Sequence, residues 1–144
     1  MNDGANRPVL VCDDESHILN VIVTKLRNAG FDVATAEDGA EGVERAIAGS
    51  PAVIVSDFQM PVLSGLEMAR TLRARRETAA IPIVLVTARG FSLTREDLDG
   101  TNVKVVMAKP FSPREILETV QQLVADPSGA TIRQNGRRLA PLDA

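Results

Sequence analysis

The chain is predicted to fold as a layered α/β domain around a five-stranded parallel sheet with helices on both faces, and three observations predict it. Strand-like apolar runs alternate with helix-like amphipathic runs five times along the sequence. The inner runs, such as Ala52-Val53-Ile54-Val55-Ser56, are apolar at nearly every position, so both faces of the sheet need cover. The 144 residues, 44% of them apolar, suffice for one domain with its own core.

The first run, Val9-Leu10-Val11-Cys12, stops abruptly at Asp13-Asp14-Glu15. A helix follows in which Ile18, Leu19, Ile22, Val23 and Leu26 share one face at spacings of three and four; Asp14 is its candidate cap and Asn28-Ala29-Gly30 its stop. Phe31 to Ala36 reads as a strand, and Glu37-Asp38-Gly39 turns the chain into a second helix carrying Ala40, Val43 and Ile47. The third strand ends at Asp57. Ser64-Gly65 then opens a helix whose inward side is Leu66, Ala69 and Leu72. Ile81 to Val86 forms a fourth strand ending at Thr87, and Val103 to Met107 a fifth ending near Lys109-Pro110. Between them, Ser92 to Leu98 is short and polar and predicts at most about two turns of helix. The last helix starts near Pro113 and turns Ile116, Leu117, Val120, Leu123 and Val124 inward. This divides the chain into an extension over 1–7, a domain over 8–125 and a basic, flexible tail over 126–144 with Arg133, Arg137 and Arg138.

Nineteen acidic against sixteen basic residues leave a net charge of -3, which gives no footprint for general nucleic-acid binding but says nothing of a local basic patch. The one cysteine, Cys12, excludes an internal disulfide and reads as a buried thiol. Neither a signal-peptide core nor a run of about 20 apolar residues is present, so a cytoplasmic setting without membrane insertion is expected.

Right-handed crossovers align the strand ends along one edge, where folds of this class gather ligands. That edge collects Asp13, Asp14, Asp57, Thr87 and Lys109. Each has an ordinary reading alone, as helix cap, loop acceptor, strand end or solvated cation. Together, three close carboxylates repel unless a proton or cation intervenes, and Mg²⁺, which takes carboxylate, water and phosphate oxygens, answers that need. Mn²⁺ is the alternative ion. Asp14 is assigned as the direct ligand and Asp13 as one acting through water. A carboxylate so placed can accept a phosphoryl group, a reaction that asks mainly for positioning and charge neutralisation. Asp57 is the candidate acceptor, Lys109 the charge partner and Thr87 a hydroxyl contact. The backbone amides of Gln59 or Met60 and of Ala88 are further donors, and the small Ala88 keeps the approach open. The Lys109-Pro110 bond is a candidate cis peptide.

Asp13-Asp14-Glu15, the run Asp57-Phe58-Gln59-Met60-Pro61 with Ser64-Gly65, Thr87-Ala88 and Lys109-Pro110-Phe111 together resemble the receiver domain of bacterial two-component response regulators from about Pro8 to Val124. The resemblance implies a flavodoxin-like sheet in the order 2-1-3-4-5 and a stand-alone architecture similar to chemotaxis regulators. It implies a phosphoryl group passed to Asp57 from the phosphohistidine of a histidine kinase or phosphotransfer protein. Asp13, Asp14, Asp57 and the Gln59 backbone carbonyl would hold the metal, Thr87 would be the switch hydroxyl and Lys109 the phosphate-binding lysine. Any catalysis would be limited to its own phosphorylation and slow autodephosphorylation. A downstream protein target is implied without its identity, and a homodimer is compatible with the architecture.

Three features depart from the family pattern. Val106 stands where an aromatic residue usually couples to the switch hydroxyl, and the chain has no Tyr or Trp. The fourth helix is curtailed. No DNA-binding or catalytic output domain follows within these 144 residues. Gln59 and Arg89 flank the phosphoryl position and, by resemblance, modulate its lifetime. The alternative reading is a receiver-like interaction module that works without phosphorylation; a small aspartyl-phosphate phosphohydrolase ranks lower because no cap-sized insertion is present.

Overall fold

In the computed structural model, residues 7–88 and 93–128 are described, together with the backbone of 133–134 and 137–138. Parallel strands β1 (Val9–Cys12), β2 (Val33–Ala36), β3 (Val53–Asp57), β4 (Ile83–Thr87) and β5 (Val103–Ala108) form a sheet in the order β2-β1-β3-β4-β5. Helices α1 (Ser16–Asn28), α2 (Gly39–Gly49), α3 (Gly65–Arg73), α4 (Arg95–Leu98) and α5 (Pro113–Ala125) connect and cover them. Beyond β5 the sheet gains two strands of two residues each, β6 (Arg133–Gln134), parallel to β5, and β7 (Arg137–Arg138), antiparallel to β6. They pair the outer edge of β5, whose backbone donors and acceptors otherwise lack a partner strand.

The two-residue side-chain period of the strands splits the core in two. Leu10, Ile54, Ile83 and Leu85 point to the side covered by α2 and α3, where they meet Met68, Ala69 and Leu72. Val9, Val11, Val53, Val55, Val84 and Val86 point to the side of α1 and α5, against Leu19, Ile22, Leu26, Ile116 and Val120. Val106 is buried on the α3 side, packed with Leu85 and its neighbours.

Capping follows the sequence closely. Asp38 accepts from the Glu41 amide, while Ser64, Thr94 and Ser112 open α3, α4 and α5 with capping boxes. The exception is α1, where Asp14 is not the cap. Glu15 holds that place without a side-chain bond, and Asp13 Oδ1 accepts from the Glu15 amide at 2.9 Å. That leaves Asp14 exposed at the strand end. The inward face of α2 also differs: Gly39, Gly42 and Ala46 are buried, while Val43 packs only in part. A Cβ on Gly42 would lie 2.6 Å from Met68 Sδ and 3.2 Å from Cys12 Sγ, so this helix approaches the sheet through a missing side chain. Cys12 is free and buried, and burial pushes its thiol far above its ordinary pKa, which keeps it an inert core group.

Among the described residues, no helix is long and apolar enough to cross a membrane.

Candidate functional site

The carboxyl ends of β1, β3, β4 and β5 bring the acidic and basic groups together. Asp13 directly follows β1, Asp57 and Thr87 are the last residues of β3 and β4, and Lys109 directly follows β5. Backbone bonds hold these ends in line: Asp13 N donates to Ala36 O at 3.0 Å, Phe58 N to Val86 O at 2.8 Å, and Lys109 N to Thr87 O at 2.8 Å. Carboxylate oxygens of Asp13, Asp14 and Asp57 all lie within 4.8 Å of one another. Lys109 Nζ is 3.0 Å from Asp57 Oδ1 and 3.6 Å from Glu15 Oε1. The Lys109-Pro110 peptide is cis.

This crowding changes proton affinities. Burial pushes the Asp13 carboxyl up to about 6; the Glu15 amide and Lys109 oppose the rise, and the charges of Asp57 and Asp14 add to it. Burial likewise raises Asp57, against the hydrogen bond and charge of Lys109, with Asp14 and Glu15 raising it further. For Lys109, burial favours the neutral amine, but Asp57, Asp13 and Glu15 outweigh it and hold the ammonium above its ordinary range. One ammonium beside three clustered carboxylates leaves the pocket net anionic. Carboxylate oxygens gathered this closely, with one exposed carboxylate open to solvent, fit a hard divalent cation such as Mg²⁺.

The remaining sequence-predicted residues divide. Thr87 is fully buried, and its hydroxyl donates to Met107 O across the sheet at 3.3 Å. Gln59 and Ala88 are exposed beside the acceptor. Met60 is half-buried against the core, its sulfur 3.9 Å from the Ser56 hydroxyl. Val106 lies on β5 opposite Leu85 of β4, buried in the core on the α3 side. Arg89 falls outside the described residues.

Two contributors escaped the sequence reading. Glu15 reaches Lys109 from the start of α1, a contact that no spacing within either element announces. Gly65 begins α3 so close to β3 that a Cβ there would collide with the Asp57 carbonyl oxygen and lie 3.0 Å from Leu85 and 3.1 Å from Ser56 Oγ. Its amide donates to Phe58 O at 2.8 Å, which fixes the loop after the acceptor. Substituting Gly65→Ala is therefore expected to destabilise the fold by about 1–3 kcal/mol through forced backbone displacement. Thermal unfolding checks this; a midpoint equal to wild type would show that the loop yields freely. In the same loop Val62 is 75% exposed with φ of 72°, a left-handed conformation that a β-branched residue adopts at a cost.

Residues 9–121 match the family model described as the response regulator receiver domain. The chain belongs to the response regulator receiver family. Relatives of this receiver domain include the alkaline phosphatase synthesis transcriptional regulatory protein PhoP of Bacillus subtilis, 34% identical over 127 residues that cover 83% of this chain and 49% of PhoP. The transcriptional regulatory protein SrrA of Staphylococcus aureus is 30% identical over 88% of this chain and 52% of its own length. The chain thus spans about half the length of the curated relatives it matches. Among solved structures, chemotaxis response regulator CheY4 of Vibrio cholerae superposes with a TM-score of 0.74 at 30% identity, covering 81% of this chain and 98% of CheY4. The receiver domain of sensor histidine kinase PA1611 from Pseudomonas aeruginosa, solved with magnesium coordinated in its active-site cleft, gives 0.75 at 27% identity over 84% of this chain and 99% of that one.

Proposed function

We propose that this receiver domain is a phospho-accepting switch in which Asp57 takes a phosphoryl group from a phosphohistidine donor in a Mg²⁺-dependent reaction. The observation that carries the reading is the 3.0 Å pairing of Lys109 Nζ with Asp57 Oδ1 inside a cluster of three carboxylates. In the transfer, an Asp57 carboxylate oxygen forms the new O–P bond as the donor's N–P bond breaks, and the donor nitrogen keeps the electron pair. Lys109 is already beside the attacking carboxylate, within reach of the phosphoryl oxygens that arrive there with their negative charge, so neutralisation needs no large movement. Asp13, Asp14 and Asp57, with the Gln59 carbonyl, would hold the ion, which supplies charge neutralisation for a phosphate oxygen. The amides at Met60 and Ala88 would serve the other oxygens. For Thr87 to do so, its hydroxyl must exchange the Met107 carbonyl for the phosphate. That exchange alters how β4 meets β5, a local event able to bias partner binding.

The donor would be a cytoplasmic histidine kinase or phosphotransfer protein. A groove of about 470 Å³ beside the site, lined by Ile18, Val21, Lys109, Pro110, Phe111 and Pro113, supports a helical protein donor. The second reading, an interaction module independent of phosphorylation, is favoured by one observation: buried Val106 cannot provide an aromatic side chain that follows Thr87.

Incubation with a small acyl phosphate and Mg²⁺ is expected to add the mass of one phosphoryl group, labile to acid and base, to the wild type and none to Asp57→Ala. Persistent single phosphorylation of Asp57→Ala would remove Asp57 as the acceptor. An unchanged wild-type mass, with partner binding intact, would establish the second reading.

A further inference from the structure

The opposite edge of the sheet carries a cluster of different sign. Arg7 precedes β1, Ala52 precedes β3, Ile81 and Pro82 precede β4 and Asn102 precedes β5; with the ends of α3 and α5 they enclose a cavity of about 580 Å³. Its wall holds four cationic side chains, Arg7, Arg73, Arg76 and Lys104, and one carboxylate, Glu77. Glu77 is already paired with Arg75 at 3.0 Å, and Arg7 and Arg73 donate to backbone carbonyls, Arg7 to Ser50 and Pro51 and Arg73 to Ala79. Arg76 and Lys104 make no hydrogen bond or ion pair among the described residues.

Lys104 is the telling residue. Ile83 pairs with Val103 and Val84 with Val105, so Lys104 is the extra residue of a bulge in β5. A bulge re-aims a side chain at the expense of a regular ladder. Here the re-aimed group is an ammonium, half-buried and turned to a wall already positive. Burial and the neighbouring Arg73 both favour its neutral form, with Asp126 opposing them. Cations near helix carboxyl ends are common, since they complement the helix dipole, and that accounts for Arg73 at the end of α3. It does not account for Lys104, which lies on a strand. The cavity volume is that of a small-molecule site rather than a polymer groove, and Ile81, Pro82, Leu123 and Val124 give it an apolar floor.

We propose that this cavity is a second binding site, for a small phosphorylated ligand whose phosphate groups meet Lys104, Arg76 and Arg73 and whose less polar part lies on the floor of Ile81 and Leu123. Guanidinium forks and an ammonium match phosphate oxygens better than a single carboxylate, whose one charge would leave most of the wall uncompensated. Lys109 lies five positions beyond Lys104 along the β5 direction, about 16 Å at the usual strand rise, so the site is distinct from the acidic pocket.

The probes are inorganic pyrophosphate and adenosine diphosphate, titrated into the metal-free 144-residue chain carrying Asp57→Asn and followed by backbone NMR. Expected are shifts at 102–105 and 123–128, with the nucleotide binding more tightly than pyrophosphate. Arg76→Ala, at an exposed position, and the pair Arg76→Ala with Lys104→Met are each expected to weaken binding, the pair by about tenfold or more. Shifts confined to the strand ends near Lys109, equal affinity in both variants, or binding of a single-stranded oligonucleotide but of neither probe would each overturn the proposal.

Discussion

Metal-free protein is expected to lose about 2 kcal/mol of stability as pH rises from 4.5 to 7.5, and to regain stability at pH 7.5 when Mg²⁺ is added. The sign comes from Asp13, raised in the fold from 3.8 to about 6. Below pH 3.8 it is protonated in both folded and unfolded chains and costs nothing. Between 3.8 and about 6 the unfolded chain gives up the proton and the folded chain retains it, so rising pH favours unfolding. Above about 6 both are ionised and the full penalty of a crowded buried carboxylate remains. Asp57, also raised, acts in the same direction. Lys109 contributes stability that is present at low pH and lost only above its raised pKa, so it is constant across this window. Glu41, Glu77 and Asp97 are held low, and their opposite contribution is complete by about pH 5.5, roughly one unit above the ordinary glutamate value, so it offsets only the start of the fall. Thermal unfolding in chelator should therefore show the midpoint falling by roughly 5 °C over the window, and Asp13→Asn should flatten that slope. A midpoint that is level or rises with pH would mean that burial and the neighbouring carboxylates do not hold the Asp13 and Asp57 protons.

This electrostatic tension explains how far the sequence could be read. The five strands were legible because each is a short, mostly apolar run, and four of them give way to a chemistry-bearing polar residue at the edge where an α/β sheet gathers ligands. Asp13, Asp57, Thr87 and Lys109 could thus be placed together from order alone. Their partners could not. That Lys109 also meets Glu15, or that Thr87 donates to Met107 O, depends on the angle at which each strand ends. The expected strands from Phe31 and Ile81 begin two residues later, at Val33 and Ile83, because Phe31 N bonds back to Leu26 O and Ile81 N to Thr78 O. The α2 face was misread for a related reason: Gly39 and Gly42 look like turn residues, yet they permit the closest helix approach. The bulge at Lys104 is a relation of register between two strands, and β6 and β7 are too short to carry a period.

Substituting Lys109→Met is expected to slow phosphorylation of Asp57 by about 10²–10³-fold while tightening Mg²⁺ binding. The two effects have opposite signs because one ammonium serves two competing purposes. At 3.0 Å from Asp57 Oδ1 it neutralises part of the anionic cluster, so it repels an incoming divalent ion and occupies an oxygen that the ion could use. Methionine keeps the length of the stem and removes the charge, leaving Asp13, Asp14 and Asp57 facing one another. The metal-free variant should then bind protons at these carboxylates more readily than the wild type, since Lys109 is a cause that lowers both Asp57 and Asp13. Phosphoryl transfer, by contrast, loses a cation placed where charge develops on the transferred group, and the ion cannot occupy both positions. Intrinsic fluorescence will not follow either change, because the chain contains no Trp or Tyr. Calorimetry reports the metal affinity, and quenched mass measurement with a small acyl phosphate reports the rate. Parallel weakening of metal binding and rate would indicate a collapsed pocket, and an unchanged rate would remove Lys109 from the transfer. Only a slower reaction with tighter metal binding separates charge neutralisation from scaffolding.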